Sequence, residues 1–405
     1  MSKGGISFEA ALGTRGNVGF LSLEERQKAI IRGHNPYEFG GALAGNSPVF
    51  HGRQREIREI VQAFTHPGRP LCVSLLGERR IGKSSLINQV RQQLGSVPGM
   101  IVVYANALGW AEGIGPDDFY TALGQAVATA LPGEPYWGKV SDFVSLRASL
   151  NLLTQGLRIV LIIDEFELLA DPPPFDDTFF FNLRSLVDNG LPIGFFTSSR
   201  ISLQELCAQH RIEGSGFWNI FNNDYVLGLL SDDDCQALIR DPMKLSTHHS
   251  QEQSCAPYLE WAGRFPAYVQ IVQSDCWNAF EGGYEIDQDR LWEGLEGHVE
   301  ALWFKRNQGE WKILHILAAE TSNPVLDAAL LRGLRRRGLV NRNNKIFSPM
   351  LLFVIKKHAP PDKTLLEVAN GIIGGANDVL GWFEKFMDTG KRLLSIGSSA
   401  SELFS

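Results

Sequence analysis

The chain has 405 residues, 44% hydrophobic and 20% charged, which excludes a disordered or fibrous polymer. At roughly 100–200 residues per domain that length predicts two or three domains, and no apolar run reaches the roughly 18 residues of a membrane span. Net charge is −7, yet residues 301–360 carry eleven Lys and Arg against three Asp and Glu, an asymmetry that suits either an acidic neighbouring domain or an anionic partner.

The opening MSKGGISFEAALGTRG lacks the apolar core of a signal peptide. Cys72, Cys207, Cys235, Cys255 and Cys276 are scattered without a C-x-x-C pair, so a cytoplasmic location is expected and a zinc site is not. Residues 1–34 read as an N-terminal extension with one short helix over Leu21–Arg32. Apolar residues at helical spacing predict a helix over Arg53–Phe64. Buried strands are predicted at Pro70–Leu76, 100–106, Arg158–Ile163 and Ile193–Thr197, separated by helices over 83–94, 117–131, 141–155 and Phe179–Asp188. Strands alternating with helices imply an α/β fold, a parallel sheet covered by helices on both faces.

The pattern changes near residue 230. Ser231 followed by three aspartates reads as a helix N-cap, and helices are expected from there to about residue 300. Across 308–358 the order is helix, helix, then a turn at Asn341–Asn344 between short extended runs, which predicts a winged helix. An apolar stripe from Leu365 to Met387 predicts an amphipathic helical tail. The expected domains are therefore 35–230, a helical lid at 231–300, a winged helix at 301–360 and the tail at 361–405.

The strongest chemical signal is Gly77-Glu78-Arg79-Arg80-Ile81-Gly82-Lys83-Ser84, followed by Ser85, directly after a predicted strand and at the start of a predicted helix. Glycines let the backbone amides turn toward phosphate, and the helix N-terminus adds partial positive charge. Lys83 is placed to meet the β- and γ-phosphates, and the Ser84 hydroxyl to bind Mg²⁺. A second element, Leu161-Ile-Ile-Asp164-Glu165, is an apolar strand that ends in paired carboxylates. Asp164 is expected to hold Mg²⁺ and Glu165 to act as general base toward the attacking water. A further strand ends in Ser198-Ser199-Arg200, and an arginine there can sense a γ-phosphate.

Together these residues resemble the STAND branch of AAA+-related ATPases, signal-transduction ATPases that include prokaryotic relatives of immune receptors. The resemblance covers about 35–358. It implies ATP and ADP as ligands, slow hydrolysis, and a switch between nucleotide states. It further implies that Pro36 and Tyr37 enclose the adenine, that Arg200 is the sensor, and that Gly263-Arg264-Phe265-Pro266 is the lid turn against the nucleotide. Arg264 stands where the family usually has glycine, and it is either a second sensor or a surface residue. Expected partners are further copies of the chain in the ATP state and a protein trigger or effector, with prokaryotic defence as one setting. Two alternatives stay open. One is a DNA-associated ATPase gripping phosphates through Arg332, Arg335, Arg336, Arg337, Arg342 and Lys345. The other is a membrane effector acting through the tail, which the tail's net negative charge does not favour.

Overall fold

A computed structural model describes residues 6–12, 23–110, 113–170, 174–246, 255–319 and 326–358. The expected tail at 361–405 lies outside the described residues.

The α/β part is built from β1 (Glu9–Leu12), α1 (Leu23–Ile31), α2 (Gln54–Phe64), β2 (Cys72–Gly77), α3 (Lys83–Leu94), β3 (Met100–Asn106), α4 (Pro116–Ala130) and α5 (Phe143–Leu152). It continues through β4 (Arg158–Asp164), α6 (Glu167–Ala170), α7 (Asp177–Asp188), β5 (Ile193–Ser199), α8 (Leu203–Gln209) and β6 (Phe221–Leu227). The six strands order as β1-β3-β4-β5-β2-β6. All pairings are parallel except β1 with β3. Strands β2 and β5 are buried along their whole length, which is why their apolar residues fall on successive positions rather than alternating.

Two strands escape the sequence pattern. At β1 four residues form an edge strand whose side chains alternate between exposed and half-buried, so little apolar signal is needed. At β6 the run FNNDYVL carries three polar residues after its first, yet it pairs with β2 from Cys72–Phe221 to Gly77–Leu227, with a register shift after Cys72.

Each face of the sheet has its own core. On one face α4, α5, α7 and α8 bury a set of aromatics that includes Phe119, Tyr120, Phe179, Phe195 and Phe217. On the other, the core over α2 and α3 runs on without a break into the C-terminal helices through Phe265, Trp277, Trp292, Leu334 and Val354. Those helices are α9 (Asp232–Leu245), α10 (Ala256–Ala262), α11 (Pro266–Gly282), α12 (Gln288–Trp303), α13 (Gln308–Ala318), α14 (Ala328–Arg336) and α15 (Pro349–Lys357). The Ser231 hydroxyl accepts from the Asp234 amide at 3.1 Å and caps α9, as its sequence predicts. Between α14 and α15 an antiparallel bridge joins Val340 to Ile346 across the Asn341–Asn344 turn. All five cysteines are buried free thiols.

The end of α14 is where the C-terminal helices meet the sheet. Leu339 N donates to Leu334 O at 3.0 Å and Gly338 N to Arg335 O at 3.0 Å, a paired closure that needs a left-handed residue at Gly338, whose φ is 82°. A Cβ at Gly338 would lie 2.8 Å from the Leu229 amide nitrogen, just beyond β6. Backbone meets backbone here, with no slack for a side chain. Gly338→Ala is therefore expected to lower stability by about 1–3 kcal/mol, read as a shift in the urea midpoint, while Gly333→Ala, whose Cβ would meet Arg337 Nη2 at an ordinary contact distance of 3.8 Å, is expected to be neutral or stabilising.

Candidate functional site

Parallel pairing puts the carboxyl ends of β2, β4 and β5 on one edge, with β5 between the other two. The three signals of the sequence therefore converge. The loop after β2 turns through left-handed conformations at Arg80 (φ 67°) and Gly82 (φ 100°) before α3 begins at Lys83. This curl turns the first amides of α3 inward. Lys83 is buried, and its Nζ donates to Gly77 O at 2.9 Å and Glu78 O at 3.2 Å, which holds the ammonium across the mouth of the loop.

The Ser84 hydroxyl donates to Asp164 Oδ2 at 2.6 Å, and Asp164 Oδ1 accepts from the Glu165 amide at 3.1 Å. Asp164 is fully buried at the end of β4. Glu165 follows it with φ 54°, an uncommon conformation for glutamate that aims the side chain away from the strand direction. Burial pushes the Glu165 carboxyl above its ordinary range; Glu167 and Asp164 add to the shift, while Lys83 and Arg200 oppose it. A base with raised proton affinity is what water activation needs.

A cavity of about 280 Å³ opens beside the loop. Its walls include Arg79 to Ser85, Glu165 and Pro266, with Phe39 to Leu43 closing one side. That last segment is stitched to α3: Leu43 N donates to Ser85 Oγ at 3.0 Å, Asn88 Nδ2 to Leu43 O at 2.9 Å, and Arg80 Nη1 to Phe39 O at 3.3 Å. Sequence reading missed the segment, because Gly40-Gly41-Ala42 has neither charge nor period.

Several expected site residues lie elsewhere. Pro36 and Tyr37 are buried in the core and do not line this cavity. The Tyr37 ring meets Trp277 edge-on, and its hydroxyl donates to Ile239 O at 3.3 Å, so the pair anchors the leading segment to α9 and α11. Arg264 points outward toward Asp232 at 3.4 Å, which favours the surface alternative. Arg200 donates from Nε to Glu167 Oε1 at 2.9 Å and lines a second cavity, of about 720 Å³, on the other side of the loop.

Glu78 departs furthest from the expectation of a loop residue facing the ligand. Only 1% exposed, it faces the C-terminal helices. Arg306 donates to Glu78 Oε1 at 2.5 Å and also to Oε2, while Arg337 donates to Oε1 at 2.9 Å. Glu310 completes the group, pairing with Arg337 and lying 3.5 Å from Arg306. Burial alone would raise the Glu78 carboxyl; Arg306, then Arg337 and Lys83, outweigh burial and hold it below the ordinary glutamate value. Arg337 is thus committed inside the molecule and withdrawn from the proposed DNA surface, and Arg335 donates to Asn344 Oδ1 at 2.6 Å. Arg332, Arg336, Arg342 and Lys345 remain exposed.

Residues 67–305 match the model of a family described as Novel STAND NTPase 2. No curated protein sequence matches the chain. Among solved structures, a Walker-type ATPase of Pyrococcus abyssi is 14% identical with a TM-score of 0.55, covering 79% of this chain and 99% of its own. The ORC2 protein of Aeropyrum pernix, solved as ADPNP-ADP complexes, is 14% identical with a TM-score of 0.50, covering 84% of this chain and 97% of its own. At such identities the likeness is one of fold.

Lys83→Ala is expected to abolish triphosphate binding, read with a fluorescent ATP analogue; affinity near wild type would sink the assignment. Glu78→Ala leaves Arg306 and Arg337 with Glu310 alone. Breaking a buried pair typically costs about 3–5 kcal/mol, and a loss of that size is expected in urea unfolding. Because Glu78 binds its proton more weakly when folded, the contribution is present at neutral pH. It is lost only as pH falls below the ordinary glutamate value.

Proposed function

The chain belongs to the Novel STAND NTPase 2 family, and from that membership we propose that it is an ATP-binding, slowly hydrolysing switch that couples its nucleotide to the seating of the C-terminal helices. Lys83 meets the β- and γ-phosphates, assisted by the amides at the start of α3. Ser84 and Asp164 offer two hard oxygen donors side by side, the kind Mg²⁺ takes together with phosphate and water oxygens. Mg²⁺, when bound, supplies charge neutralisation at the phosphates. Glu165 takes a proton from the attacking water, and its raised proton affinity suits that task.

One observation carries the switch: Glu78, inside the phosphate loop, is ion-paired with Arg306, in the turn between α12 and α13, and with Arg337, just after α14. A loop that adjusts to a γ-phosphate moves the carboxylate those arginines hold. On this reading residues 231–300 are the lid and 301–360 the winged helix, which docks on the loop in one nucleotide state and loosens in another. Self-association in the ATP state is the output, and a protein trigger or effector reads it.

Hydrogen exchange tests the coupling. With ATP, exchange should change both at 77–85 and at 306–337, and Lys83→Ala should silence both changes. A response confined to 77–85 would refute the coupling. Glu165→Gln is expected to keep ATP bound and to slow phosphate release by about 10²–10⁴-fold. It should also accumulate the assembled form by light scattering; an unchanged size distribution would remove self-association as the output.

A further inference from the structure

The nucleotide cavity carries one cation that no described residue holds. Four basic side chains line it, Arg53, Arg79, Arg80 and Lys83, against two carboxylates, Glu38 and Glu165. Three of the four are committed: Arg53 donates to Gly228 O, Arg80 to Phe39 O at 3.3 Å, and Lys83 to Gly77 O at 2.9 Å and Glu78 O at 3.2 Å. Arg79 is exposed, and among the described residues no carboxylate or carbonyl meets its guanidinium. Its place in the loop sets which end of a nucleotide it serves. Arg79 directly follows Glu78, whose carbonyl oxygen accepts from Lys83, so its side chain starts beside that ammonium. Glu165, the base toward the attacking water, lines the same cavity. Arg200, the arginine expected to sense a γ-phosphate, is bound to Glu167 and lines the other cavity.

We propose that Arg79 reads the γ-phosphate, as a guanidinium supplied by the phosphate loop itself. Lys83 is a compact charge held across the mouth of the loop. A guanidinium adds what an ammonium lacks, a planar fork of donors that engages two phosphate oxygens at once. Because Arg79 is unpaired, it closes on a triphosphate without first breaking a contact inside the protein. A diphosphate ends one phosphate short of that fork and leaves Arg79 in water. The loop amides and Lys83 therefore hold both nucleotides, while Arg79 adds affinity for the triphosphate alone. During hydrolysis the same fork faces the charge that develops on the γ-phosphoryl oxygens. The inference rests on the nucleotide reading above and adds the residue that distinguishes ATP from ADP.

The test is competition by ADPNP, a triphosphate that resists hydrolysis, and by ADP against a fluorescent ADP analogue on the full chain with Mg²⁺. Arg79→Ala should weaken ADPNP by about 10- to 100-fold, the scale of hydrogen bonds to a charged group, and should leave ADP within about twofold of wild type. Arg79→Lys, which keeps the charge and loses the fork, should fall between wild type and Arg79→Ala. Unchanged ADP binding shows that the variant is folded, so a loss confined to ADPNP reports the γ-phosphate. Equal effects on the two nucleotides, or ADPNP affinity within about twofold of wild type in Arg79→Ala, would overturn the role of Arg79 and leave the phosphate site standing. A variant that binds both nucleotides normally but no longer self-associates would place Arg79 at a contact between copies and overturn it as well. A wild-type chain that binds neither nucleotide would overturn the nucleotide reading and this inference with it.

Discussion

A carboxylate removed from water is stable only where cations meet it, and Glu78 meets two. Arg306 and Arg337 come from a stretch of chain more than two hundred residues away, and Glu310 balances the group to zero net charge. None of the four tolerates loss of the others, because a lone buried charge costs several kcal/mol. The phosphate loop, otherwise held by its own turns, thus has its second residue fixed by turns at the ends of helices that follow it in the chain. Local geometry at the ligand and global geometry at the C-terminal helices are parts of one electrostatic arrangement.

The sheet explains why this arrangement sits beside the chemistry. Placing β5 between β4 and β2 brings Ser84, Asp164 and Glu165 together and leaves Glu78 on the side facing the C-terminal helices. Two cavities flank the loop: a smaller one walled by Lys83, Glu165 and α11, and a larger one walled by Glu167, Arg200 and α14. The loop is the partition, so a shift in it changes both spaces.

The chemistry of the site was legible in the sequence because a phosphate loop needs glycines, lysine and a hydroxyl at fixed spacing, and an apolar strand ending in acids is hard to hide. The four inner strands were legible as apolar runs for the same reason of burial. What stayed hidden was pairing across distance. Nothing in the sequence distinguishes Arg337 from Arg336, one half-buried against Glu78 and the other exposed, because helix phase and docking decide between them. The family resemblance implied Tyr37 as an adenine wall, yet Trp277 and Ile239 claim it for the core. Strand β6 was missed because its Asn-Asn-Asp run reads as loop until β2 supplies the hydrogen-bonding partner.

The free thiols have a practical consequence. Cys72 lies in β2, at the heart of the sheet, while Cys235 sits on α9 and Cys276 on α11, all buried. A thiol reagent therefore reaches none of them in this structure. Cys235 and Cys276 belong to helices α9 and α11, which follow the sheet in the chain, and Cys72 belongs to the sheet itself, so a reagent that reached the first two and spared the third would report a change in the seating of those helices. The native chain thus carries its own reporter and its own internal reference, readable by mass shift without a single engineered label.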